Sequence, residues 1–434
     1  MTLDLTAALG QPGGPLAVSG WSIDTRTLLA GDAFFALSGP SHDGHDFVSE
    51  AARKGAAAVV VSRAVDAGVR SYLVEDPLSA LQQTARRALD EWNGDVVAVT
   101  GSAGKTSAKD AVAHLLAGEL PVGKTIGNFN NHVGVPLSIL RLPDECRIAV
   151  LEMGMNHAGE IRELARLARP RVGVITNVGH AHIENFDSVD GIALAKRELI
   201  EELAPAGVAV LNADDERVSR FRDVHAGPIV SYGFSGRADV RADGYESGLD
   251  NSRFVVDAVR FDIPLPGRHN VMNVLAAIAV GKVYGIAVER LPERARSIVP
   301  AKMRGERLTV RGMTIWNDCY NANPAAMKAM TDVLAATPAR RRIAVLGEML
   351  ELGHASHALH REVGRYVAAS GIDLVVGVHG AAQWLAGETG GPFFETPEEA
   401  GDYVRAIARE GDAILFKGSR GVRVELALDR VVKE

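Results

Sequence analysis

One stretch limits the possible folds more than any other: Val96-Val97-Ala98-Val99-Thr100-Gly101-Ser102-Ala103-Gly104-Lys105-Thr106-Ser107. Its four leading apolar residues read as a buried strand. Downstream, Ala111, Val112, Leu115 and Leu116 share one face of a helix. Strand, glycine-rich turn, Lys-Thr and helix in succession is the layout of a phosphate-binding loop. Glycines let backbone N–H groups close round phosphate oxygens, the helix N-terminus adds its positive end, and lysine adds a mobile cation. Thr106 would then hold Mg²⁺. The loop is a shortened form, Gly-x-x-Gly-Lys-Thr, with Val99 where the longer pattern has its first glycine. A plainer reading, a strand-to-helix turn capped by Thr100 or Ser102, stays open on local sequence alone.

A chain of 434 residues is too long for one core, so two or three domains are expected. A net charge of −7 gives no basic excess to replace counterions along a phosphate backbone, which argues against a nucleic-acid partner. Two cysteines, Cys146 and Cys319, imply no disulfide framework and fit a reducing compartment. The sequence from Met1 to Leu5 does not open a secretory signal, and no run of about 18 apolar residues predicts a membrane span. A cytoplasmic enzyme is expected.

Residues 1–93 read as a small α/β domain, with strands at 34–37, 56–61 and 71–74 and helices at 48–54 and 77–92. Its polar turns at 22–26 and 41–46 are either solvated loops or substrate contacts. A second domain is expected over 94–312. There the loop at 127–136 is dense in asparagine, which both donates and accepts. A strand at 148–151 ends on Glu152, a natural Mg²⁺ ligand in the crevice of an open α/β sheet, or else a helix-capping carboxylate. Another strand at 172–176, expected beside the Glu152 strand, runs into His180 and His182. Short antiparallel strands with no helices between them are expected over about 228–265. A helix then opens with His269, Asn270 and Asn273 in its first turn, placed either to meet a base or to cap the helix. Residues 313–434 alternate strands and helices, the pattern of a doubly wound parallel sheet. Lys417-Gly418-Ser419-Arg420-Gly421 closes the last strand with cations and a flexible turn, a second candidate anion site.

Several motifs agree with one another and together resemble the Mur ligase family, the ATP-dependent amide-forming enzymes of bacterial peptidoglycan synthesis. They include Asp24-Thr25-Arg26, Asp43-Gly44-His45-Asp46-Phe47, the loop at 100–107, the string at 128–136, Glu152 to Ile161, Thr176 to His182 and Ala195-Lys196-Arg197-Glu198. Tyr320-Asn321-Ala322-Asn323-Pro324 and Leu346 to Gly353 point to the branch that adds D-alanyl-D-alanine. The resemblance runs through three domains: an N-terminal α/β domain for a UDP-sugar substrate, a central ATP-binding parallel-sheet domain carrying a small antiparallel sheet, and a C-terminal Rossmann-like domain on the amino-dipeptide side.

The resemblance implies roles residue by residue. Gly101, Ser102, Ala103, Gly104, Lys105, Thr106 and Ser107 would hold the ATP phosphates, with Lys105 on the transferred phosphoryl group. Thr106, Glu152 and His182 would be Mg²⁺ ligands. Lys196 would be carbamylated and act as a further, carboxylate-like ligand. Asn270 and Asn273 would lie near adenine, Asp318 near the ribose and Arg304 near the terminal phosphate. Thr25 would contact the uridine nucleotide, and Asn130 and Asn131 the sugar-peptide part. Before the Tyr-Asn-Ala-Asn-Pro string the family's paired acids are Asn317-Asp318 here, which leaves Asp318 as the carboxylate. The implied substrates are UDP-N-acetylmuramoyl-tripeptide, D-alanyl-D-alanine and ATP, joined through an acyl phosphate by a monomer. A hinge is expected near 304–318. Alternatives are a sibling ligase adding a single amino acid, a folylpolyglutamate synthase, and a non-catalytic nucleotide switch.

Overall fold

The computed structural model describes residues 3–433, so the first two residues of the expected 1–93 domain lie outside the described residues. Four parallel strands, β1 (Gly20–Ser22), β2 (Asp32–Phe35), β3 (Ala58–Val61) and β4 (Arg70–Leu73), form the N-terminal sheet in sequence order. The helix Pro77–Glu91 follows, with Asp76 accepting from the N–H groups of Leu78 and Ser79 at its start.

The central sheet contains β5 (Asp95–Thr100), β6 (Val122–Lys124), β7 (Ile148–Glu152), β8 (Val172–Ile175), β9 (Val208–Asn212), β10 (Ile229–Gly233) and β11 (Val240–Arg241). Their order is β11-β10-β9-β8-β5-β7-β6, parallel throughout. Strand β5 lies inside it, and its side chains alternate between two cores. Val97 and Val99 pack with the helices Lys105–Leu116 and Arg268–Val283, while Val96 and Ala98 join the opposite core. Each fully buried valine contributes about 1.5–3 kcal/mol, which makes this strand a firm base for the loop it carries.

Two sequence expectations need correction here. Strand β8 does not adjoin β7, because β5 lies between them. And only β12 (Asp243–Ser247), β13 (Ser252–Val256) and β14 (Val259–Ile263) form the antiparallel annex. β10 and β11 extend the parallel sheet instead. Their link from β9 is a one-turn helix and a 3₁₀ turn dense in charge (Glu216–Ser219 and Arg220–Val224), too short to show an apolar helical period.

The C-terminal sheet contains β15 (Glu306–Val310), β16 (Met313–Asp318), β17 (Arg341–Gly347), β18 (Leu374–Val378), β19 (Phe393–Phe394) and β20 (Asp412–Lys417), in the order β15-β16-β20-β17-β18-β19. All pairings are parallel except the β15–β16 hairpin. That hairpin moves the domain boundary from 312 to before Glu306. It also removes residues 306–318 from the expected hinge, since bending there would break ladder hydrogen bonds. No helix among the described residues is long and apolar enough to cross a membrane.

Candidate active site

The C-terminal ends of β5, β7, β8 and β9 face those of β16 and β20 across a cleft of about 520 Å³. The ends of parallel-paired strands from two sheets thus line one crevice, the place where open α/β sheets take their ligands.

The loop between β5 and the helix Lys105–Leu116 forms its floor. Gly101 passes so close to β8 that a Cβ there would lie 1.9 Å from Thr176 Oγ1. Gly104 has φ +78°, and a Cβ on it would meet Asn273 Oδ1 at 2.6 Å. Both positions therefore exclude a side chain. Asn177 holds the loop from outside: its Oδ1 accepts from Ala103 N at 2.8 Å and its Nδ2 donates to Ala103 O at 3.0 Å. Ser102 Oγ exchanges hydrogen bonds with Gly179. Neither Thr100 nor Ser102 caps the helix, whose N-cap is Gly104 with no side-chain bond. The N–H groups of Gly104, Lys105, Thr106 and Ser107 accordingly have no acceptor among the described residues. Four consecutive open donors at a helix N-terminus suit an anion.

Beside them Thr106 Oγ1 donates to Glu152 Oε2 at 2.7 Å, and Asn130 Nδ2 donates to Glu152 Oε1 at 2.8 Å. Thr106 and Glu152 are hard oxygen donors, but no group of three or more His, Cys, Asp or Glu able to hold a metal exists among the described residues. That sparse oxygen set fits Mg²⁺, which keeps several waters and shares substrate phosphates. It does not fit a softer metal. His182 lines the same cleft, and its Nδ1 stands 2.6 Å from Glu351 Oε2 of the C-terminal domain, off the line a hydrogen bond requires. The Nδ1 side of the ring makes the domain contact.

Lys105 is partly open to the cleft, and its Nζ donates to Gly101 O at 2.8 Å. Burial lowers its pKa, helped by Arg304 and opposed by Glu152 and Glu351. Lys196, on the helix Val189–Glu201, is 1% exposed and does not line the cleft. Its ammonium forms no hydrogen bond or ion pair with a described residue, and burial, with Lys105 adding to it, pushes its pKa well below 10.5. Burial thus favours its neutral amine over the ammonium, and the neutral amine is the form that adds CO₂.

The opposite wall comes from the C-terminal sheet. Asp318 and Lys417 are register partners on β16 and β20, and the Lys417 ammonium bonds both the Asp318 carboxylate and Asn321 O. The Arg304 guanidinium lies 3.9 Å above the Tyr320 ring. Glu351 faces both His182 and Lys105. His182 holds its carboxyl below the usual range against the pull of burial, with Lys105 adding to the same effect.

Other expected residues divide. Asn273 and Asn270 both line the cleft: Asn273 lies against Gly104 at its phosphate end, and Asn270 Nδ2 bonds Pro266 O at the start of their shared helix. Asn131 lines the cleft, but its Oδ1 already accepts from Val133 N and Gly134 N. Thr25 is buried in the N-terminal domain, where Lys54 bonds its carbonyl, and it does not line the cleft. Sequence reasoning gave no role to Asn177, Tyr320 or Glu351. Each stands in a string singled out above, but only the tertiary fold shows what each touches.

Three family descriptions cover most of the chain: "Mur ligase family, catalytic domain" over residues 17–89, "Mur ligase middle domain" over 99–281 and "Mur ligase, glutamate ligase domain" over 303–420. A UDP-N-acetylmuramoyl-tripeptide–D-alanyl-D-alanine ligase of Bacillus subtilis is 38% identical, covering 94% of this chain and 92% of its own length. The enzyme of the same name from Escherichia coli is 34% identical over 95% and 93%. Among solved structures, MurF from Acinetobacter baumannii aligns with a TM-score of 0.92 at 29% identity, covering 100% of this chain and 99% of that one. The MurF ligase of Thermotoga maritima in complex with ADP aligns at 0.85 and 30% identity, over 96% and 97%. A folylpolyglutamate synthase of Mycobacterium tuberculosis, 17% identical with a TM-score of 0.66 over 82% and 95%, shares the fold alone. With a phosphate loop facing a second sheet across one cleft, and full-length relatives of one description, this chain belongs to the Mur ligase family.

Proposed function

We propose that the chain joins D-alanyl-D-alanine to UDP-N-acetylmuramoyl-tripeptide at the expense of ATP, as its full-length relatives are named to do. The observation that carries this reading is the cleft itself. Open loop donors and Lys105 lie on one side, and Arg304, Asp318 and Lys417 on the other, so a nucleotide and an acceptor can meet between two domains. The folylpolyglutamate synthase reading loses ground because that likeness is confined to fold.

In the first step a carboxylate oxygen of the tripeptide attacks the terminal phosphorus of ATP, and the bond from that phosphorus to ADP breaks. The N–H groups of Gly104 to Ser107, with Lys105 and Arg304, neutralise and align the transferring group. Mg²⁺, when bound beside Thr106 and Glu152, supplies further charge on the phosphate oxygens. In the second step the dipeptide amine attacks the acyl carbon, the carbon–oxygen bond to phosphate breaks, and the amine gives up a proton. Water would hydrolyse the acyl phosphate, so the two walls must exclude it before the first step. Lys196, as a carbamate, would present an anion in the interior where its ammonium is disfavoured. Asp318 is read as the ribose contact, Asn130 and Asn131 as contacts of the sugar-peptide part, and Thr25 as a uridine contact. A working monomer belongs to this reading, and two buried free thiols fit the cytoplasm.

Tripeptide labelled with ¹⁸O in its terminal carboxyl group tests the reading. ADP release should require both the tripeptide nucleotide and the dipeptide, and one labelled oxygen should appear in the phosphate. Phosphate without label would overturn the acyl-phosphate route.

A further inference from the structure

Glu351 has no part in the chemistry above, yet it makes a contact between the C-terminal domain and the segment that follows β8 on the phosphate-loop side. It follows β17 with φ +64°, and its partner His182 has φ +61°. A non-glycine residue in the left-handed region is costly and persists where the surroundings demand it. Here two such residues face each other across a domain boundary, Nδ1 to Oε2 at 2.6 Å. The His182 nitrogen is sealed from water and has no hydrogen-bond partner, so the Glu351 charge is what meets it. The backbone joins in: Glu351 O accepts from Glu184 N at 3.2 Å. Gly353, with φ +47°, comes so close that a Cβ on it would lie 2.9 Å from the Glu184 Cβ. Glu351 is also within charge range of Lys105.

We infer that Glu351 is a positioning residue, which couples docking of the C-terminal domain to the placement of His182 at the phosphate end of the cleft. The contact requires both domains, so the loop side is fully ordered only once the acceptor side is seated. Its activity arm rests on the ligase reading, while its structural arm does not.

The test is amide hydrogen exchange of the full chain, with and without Mg²⁺ and β,γ-methylene-ATP, alongside steady-state kinetics. In the wild type, exchange at 182–186 and 350–354 should slow together when nucleotide binds. Glu351→Ala should abolish the slowing at 182–186 while 104–107 stays protected. It should lower kcat about tenfold with KM for ATP within about threefold, the split expected when alignment rather than ground-state binding is lost. Glu351→Gln, which keeps the length without the charge, should fall between. Gly353→Ala should reproduce the exchange change from the other side of the contact, and it decides the matter if Glu351→Ala does not fold. Wild-type exchange at 182–186 in the variants overturns the inference. If the wild type releases no ADP with the proposed substrates, the ligase reading fails. The coupling is then judged by the difference in exchange at 182–186 between nucleotide-free wild type and variant, and equality there overturns it.

Discussion

Lys105 and Lys196 sit at adjoining places in the interior with opposite fates. Lys105 has an opening to the cleft and an ion to meet there, so Lys105→Ala should leave the melting temperature near wild type. Ligation, read by ADP release, should fall about 10²–10³-fold, as when one charge-stabilising donor is deleted. Lys196 has no partner and a folded pKa well below 10.5. A lysine depressed on folding binds fewer protons in the folded state, so its penalty is complete below the folded pKa and fades as pH rises toward 10.5. In CO₂-free buffer Lys196→Met should therefore be more stable than wild type at acid and neutral pH, the gap in melting temperature closing toward pH 10. The same variant should lose ligation. Lys196→Ala should regain part of it with added formate or acetate, and complete loss without rescue would count against the carbamate. Local sequence was enough to find these lysines, because the loop and the Ala-Lys-Arg-Glu string are contiguous. What lowers their pKa values was not legible there, since burial and the approach of Arg304 to Lys105 and of Lys105 to Lys196 arise only from packing.

Among elements, the buried parallel strands were the most legible. Strands such as β5 and β7 carry unbroken apolar runs, Val96–Val99 and Ile148–Leu151, because both faces are covered, so composition alone marks them. Placement was harder. The β15–β16 hairpin has no helix to assign it to a sheet, and it reads equally well as an annex of the domain before it. Likewise, Glu198 stands in a string that suggests chemistry, yet its carboxylate accepts from Gly159 N and Arg162 N, closing the start of the helix Glu160–Ala168. Glu198→Ala should lower stability by about 1–2 kcal/mol in urea denaturation, the ordinary cost of losing a helix cap, with KM for ATP unchanged. The candidate site was half legible on the same grounds. Thr106, in the first turn of the helix after β5, and Glu152, at the end of β7, each stood out as an Mg²⁺ ligand from its local pattern, whereas Asn273 reaches Gly104 from a helix more than 160 residues away.

At the scale of the molecule, the segment at 299–305 is the covalent passage between the central and C-terminal domains that lies outside both sheets. Val299 is 77% exposed, and Lys302 follows it before Arg304 stacks on Tyr320. Domain movement about this passage should open it, so trypsin should cut after Lys302 in the free protein. Mg²⁺ with ADP should protect that bond by holding Arg304 and Tyr320 at the cleft, and equal cleavage with and without nucleotide would place the bend elsewhere.

The strand order β16-β20-β17 has a consequence for how the molecule is made. The strand at the middle of the C-terminal sheet, Asp412–Lys417, is translated after its two neighbours. Until the ribosome has passed residue 417, β16 and β17 each present a bare edge to the nascent chain and to other polypeptides. A message broken shortly before that point would release a protein with an intact nucleotide loop but a split third domain, a product suited to aggregation or proteolysis and without the Lys417 side of its cleft.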